Sequence, residues 1–73
     1  MKNVRMIIIS RYDFINQKGE NVRGNKVTIS HNGRTIDFSS KNETLFKCEL
    51  LTPYICDLIV NDDLKIDVTN IRQ

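Results

Sequence analysis

Asn32-Gly33, at the centre of KVTISHNGRTIDF, constrains this chain more than any other pair of its residues. A two-residue hairpin loop of type I′ needs positive φ at both central positions, and Asn and Gly tolerate this at least cost. A loop this short also fixes the register of its strands: His31 faces Arg34, Ile29 faces Ile36, and Val27 faces Phe38. The apolar residues then fall on one face, with Lys26, Thr28, Ser30, Thr35 and Asp37 on the other. Turn chemistry and hydropathy pattern agree, so a β-hairpin is predicted.

The segments around it also read as strands. NVRMIIISRYDF (3–14) is rich in β-branched and aromatic residues and has no helix-start signal. Simple alternation puts Val4, Met6, Ile8, Tyr12 and Phe14 on one face, interrupted by Ser10, and Arg5, Ile7, Ile9, Arg11 and Asp13 on the other. Ser39–Glu43 is a polar loop, and TLFKCELL (44–51) alternates with Phe46, Cys48 and Leu50 together. The stretch over 53–60 fits a short strand or a single helical turn, since Thr52-Pro53 resembles a helix start. Asn61-Asp62-Asp63 is a turn, and Leu64, Ile66 and Val68 alternate as a last strand. The expectation is an all-β fold, a small five-stranded antiparallel OB-like barrel in meander order. It spans 1–73 as a single domain, because closing so few strands removes their edges. A chain of 73 residues lies near the lower limit for a single self-sufficient core.

Several function classes are excluded by what the sequence lacks. It has no apolar run of the roughly 20 residues that span a bilayer. Met6–Ile9 is too short for a signal-peptide core, so no membrane association and a cytoplasmic location are expected. Cys48 and Cys56 are too few for the disulfide framework of a small secreted domain and read as buried thiols. With His31 the only other soft ligand, no metal site is expected. No nucleophile–base spacing, phosphate loop or dinucleotide fingerprint is present, so neither enzymatic activity nor a cofactor is expected.

Charge is distributed unevenly. Residues 1–34 hold seven basic residues against two acids, and residues 35–73 hold four against seven. The basic half favours an anionic partner, and the opposed halves equally favour head-to-tail self-association. Within the basic half, RYDFINQKGENVRGNK (11–26) joins the first strand to the second and carries two glycines, two aromatics and four cations. Single-stranded nucleic acid is held by such a pairing, cations tracking phosphates and aromatic faces stacking on bases. Arg11, Lys18, Arg23, Lys26 and Arg34 are the candidate phosphate contacts, with Tyr12 and Phe14 the candidate stacking residues.

Phe14, Gly19 and Gly24, evenly spaced with Arg23 and Lys26 beside the second glycine, resemble the DNA-binding wing of the filamentous-phage single-stranded-DNA-binding (helix-destabilising) proteins. TPYICDLIVNDDLKIDV resembles the proline-led final hairpin of that family. The resemblance implies a small OB-like barrel that forms a homodimer and coats single strands, and similar proteins occur on conjugative and integrative elements. The alternative reading is a small phage- or plasmid-type protein-interaction module, an inhibitor or assembly subunit. The two differ in whether the cations of 11–34 converge beside exposed aromatics.

Overall fold

A computed structural model describes residues 1–73. Five strands form one antiparallel sheet: β1 Val4–Ile15, β2 Asn21–His31, β3 Arg34–Ser40, β4 Tyr54–Val60 and β5 Ile66–Arg72. The β2–β3 hairpin has the register that its turn dictates, with His31 opposite Arg34, Ile29 opposite Ile36 and Val27 opposite Phe38. Asn32 and Gly33 both take positive φ, 51° and 75°.

The order across the sheet is β3-β2-β1-β4-β5, so the chain is not a simple meander. After β3 it crosses to the far side of β1, and that crossing occupies the stretch read as a strand over 44–51. Glu43–Lys47 is instead a single 3-10 helix. Asn42 caps it, its side-chain oxygen accepting from the Thr44 amide at 3.0 Å while its carbonyl accepts from the Leu45 amide at 3.1 Å. Leu45 and Cys48, three residues apart, are the two that point inward, a spacing that the alternating pattern hides. The ambiguous stretch that follows is strand β4. The Asn61 turn forms as expected, its side-chain oxygen accepting from the Asp63 and Lys65 amides.

β3 and β5 are the free edges, and no ladder joins them. Side chains bridge the gap instead. Ser40 Oγ donates to Asp67 Oδ1 at 3.1 Å, and Asn42 Nδ2 donates to the Val68 carbonyl at 3.1 Å. The small all-β, five-stranded antiparallel fold is thus present as a curled sheet, not closed into a barrel. Its core is Val4, Met6, Ile8, Val27, Ile29, Leu45, Cys48, Cys56 and Val68. Both cysteines are buried and unbridged. Burial pushes the Cys56 thiol up to about 11, with the Asp57 charge adding to it.

Asp57 ties the N-terminal stretch to β5. Its carboxylate accepts from the Asn3 amide at 3.0 Å and from Asn70 Nδ2 at 3.2 Å, and it makes the protein's one ion pair, with Arg72 at 3.8 Å. The Asn3 amide, then Asn70, hold its carboxyl below the ordinary 3.8. A depressed folded value means that the folded state favours the charged form. Its contribution to stability is therefore present above the ordinary value and is lost as pH falls through the folded one. Asp57→Asn should flatten the acid limb of a stability-versus-pH curve below pH 4 or so, with little change in slope near neutrality. Urea denaturation across an acid series measures this, and an unchanged acid limb would rule out the role.

Candidate nucleic-acid interface

The first hairpin is longer than the sheet around it. β4 pairs only with Val4–Met6 of β1, and β3 reaches along β2 only as far as Asn25. Residues 12–15 and 21–24 therefore pair only with each other and project as a two-stranded wing. The molecule is accordingly elongated, 41 × 27 × 20 Å. At the tip, Asn16 Oδ1 accepts from the Lys18 amide at 2.9 Å and the Glu20 amide at 3.0 Å, which sets Lys18 at the outermost turn.

A β-bulge decides what each face of the wing carries. Ile8 pairs with Val27 but Ser10 pairs with Lys26, so Ile9 is an extra residue in β1. One inserted residue exchanges the faces of everything beyond it. Tyr12 and Phe14, which simple alternation groups with Val4, Met6 and Ile8, lie on the opposite face, beside Gly24 and Val22. Arg11 takes the core-side position opposite the buried Asn25.

On the outer face the Tyr12 and Phe14 rings are 6.2 Å apart and tilted by 43°, and Phe14 is 52% exposed. Tyr12 is half-buried because its ring leans across Gly24. A Cβ at position 24 would collide with the Tyr12 hydroxyl, and it would sit 2.6 Å from Cζ and 3.0 Å from the Ser40 carbonyl oxygen. Glycine is needed there for this close approach, not for a positive φ. Lys26 lies on this same outer face, at the base of the wing.

On the inner face Arg11 is largely committed to the fold. Its Nε donates to Asn25 Oδ1 at 2.6 Å, and its Nη2 donates to the Leu45 and Cys48 carbonyls, each at 2.8 Å. It brackets the 3-10 helix to the sheet. Arg23 is not committed in this way: it makes no ion pair and lies over the Phe46 ring with Cζ 4.1 Å from the centroid. Arg11 flanks the same ring at 5.4 Å. An arginine stacked on an aromatic face keeps its planar fork of donors oriented and free, an arrangement suited to phosphate.

The structure thus sets Tyr12 and Phe14 on the outer face of the wing with Lys26 at its base, Lys18 at its tip and Arg23 on its inner face, and spends Arg11 beneath it. Arg34 is not brought to them. It pairs with His31, eight residues along β2 from Arg23, which is about 26 Å at the usual strand rise. Three residues outside the sequence-based set join the wing. Phe46 comes from the 3-10 helix, while Lys41 and Lys65 share a cleft of about 360 Å³ with Tyr12, Asp63 and Asp67. These contacts depend on the crossing connection and the curl of the sheet, for which the local sequence carries no signal. No three of the His, Cys, Asp and Glu side chains gather where they could hold a metal. No helix is long and apolar enough to cross a membrane. Compared with family models, curated proteins and solved structures, the chain matches none.

Proposed function

We propose that this is a non-enzymatic protein that binds single-stranded DNA or RNA along the wing. One observation carries the reading: a projecting ribbon has adjacent aromatics on its outer face and an unpaired guanidinium stacked on Phe46 on its inner face. Phe14 and Tyr12 would stack on splayed bases, while Lys18, Arg23 and Lys26 would meet the phosphates. Arg11 serves as a positioning residue through the helix that carries Phe46. A single wing offers few phosphate contacts, so a homodimer would add to them. Two unbridged buried thiols suit a reducing, cytoplasmic setting.

Fluorescence anisotropy with labelled oligo-dT and a matched duplex, at two salt concentrations, tests this. The single strand should be preferred, and log affinity should fall by about 0.7 per log unit of salt for each phosphate neutralised. Absence of binding at low salt would refute the proposal. The protein-interaction reading draws on a different region, the pocket at the end of the molecule away from the wing.

A further inference from the structure

The two ends of the curled sheet differ. Near the wing, Leu45 plugs the interior and is fully buried. At the other end the interior stays open as a pocket of about 520 Å³, lined by Met1, Ile29, Ile36 and Leu58 with His31 and Arg34 among its polar lining residues. None of the lining residues is acidic. Ile36, although it belongs to the core face of β3, is left 42% exposed. Such a pocket fits an apolar side chain accompanied by negative charge.

The chain presents such a group on its own surface. Leu64, in the β4–β5 turn, is 85% exposed, the most exposed large apolar residue of the protein, and it follows directly on Asp62 and Asp63. Its φ is +60°, a conformation that disfavours leucine and suits Gly or Asn. The turn is nonetheless well pinned. The Asn61 amide donates to the Lys65 carbonyl and the Leu64 amide to the Asn61 carbonyl, each at 2.9 Å. Neither aspartate is in an ion pair.

We infer that the Leu64 turn of one copy docks in the open-end pocket of a second copy, with Asp62 and Asp63 facing His31 and Arg34. The inserted group and its receptor are different surfaces of one chain, so the contact is heterologous and builds a ring or a row of copies. It gives the pairing of copies a defined surface, and it does not depend on what the wing binds.

Sedimentation velocity of the full chain over a range of concentrations tests it. Wild type should associate with increasing concentration, less so at high salt. Leu64→Gly and Arg34→Glu should each weaken association by about tenfold or more, as loss of a central interface residue does. Leu64→Gly removes an unfavourable φ, so its urea midpoint should equal or exceed that of wild type, which excludes unfolding as the cause. The decisive sample is the equimolar mixture of the two variants. One keeps the pocket and the other the turn, so together they should form dimers and nothing larger. A monomeric wild type, association unaffected by either variant, or a mixture that stays monomeric would each overturn the inference. Both variants retain the wing, so at concentrations where wild type is monomeric they should bind oligo-dT as it does; loss of oligonucleotide binding in wild type would remove the nucleic-acid reading alone.

Discussion

Leu45→Ala should destabilise the fold by about 2–5 kcal/mol, the usual cost of deleting a fully buried leucine side chain. Leu45 is completely enclosed, and it fills the end of the sheet beneath Arg11. Its neighbours are strand residues fixed by their ladders, so little can collapse into the space that it leaves. In a chain this short a single core rarely supplies more than about 3–5 kcal/mol, so the variant should be near the limit of folding at room temperature. Urea denaturation checks this: the midpoint should drop sharply at constant m-value. Phe46→Ala, one residue along, should lower the midpoint less, because that ring is only partly buried, lies outside the core cluster and packs on guanidinium groups. A loss below about 1 kcal/mol for Leu45→Ala, well under the range for buried leucines, would mean that the 3-10 helix does not plug the sheet.

That pair of residues also marks where the sequence ceases to be legible. Signals confined to a few neighbouring positions were readable: Asn32-Gly33 set a register over the whole β2–β3 hairpin, and Asn61-Asp62-Asp63 marked its turn. Signals that depend on tertiary context were not. Phe46, Cys48 and Leu50 alternate well, but the crossing from β3 to β4 demanded an end plug. Leu45 and Cys48 took that role at a spacing of three. Nothing in MIIISRYDF marks Ile9 as a bulge, because every residue from Met6 to Ile9 suits either face of a strand. Ser10 interrupts the apolar alternation there, but one polar residue does not by itself show that the faces exchange. The wing's cations and aromatics could be identified from composition, but their division between faces could not. Arg11 looked equivalent to Arg23 until the bulge turned it toward the Leu45 and Cys48 carbonyls.

The same division of faces gives the wing its sharpest test. Phe14→Ala should weaken oligo-dT binding by about 1–3 kcal/mol, the range for losing one stacked base, or roughly 5- to 150-fold in affinity. Its stability should hardly change, since the ring is already mostly in water. Tyr12→Ala should weaken binding less, because part of that ring is spent covering Gly24. Arg23→Ala should act differently from both, reducing the salt slope by about 0.7 through loss of one phosphate contact. Phe46→Ala separates charge from orientation. It keeps the Arg23 cation but removes the surface on which it is stacked, so affinity should fall while the salt slope stays that of wild type. Arg34→Ala, about 26 Å away by strand rise, should change neither quantity where the protein is monomeric. Anisotropy titrations of the five variants at several salt concentrations read all of these outcomes together. If Phe14→Ala binds as wild type while Arg34→Ala loses affinity, the strand does not run along the wing, and the open end of the sheet becomes the place to look for it.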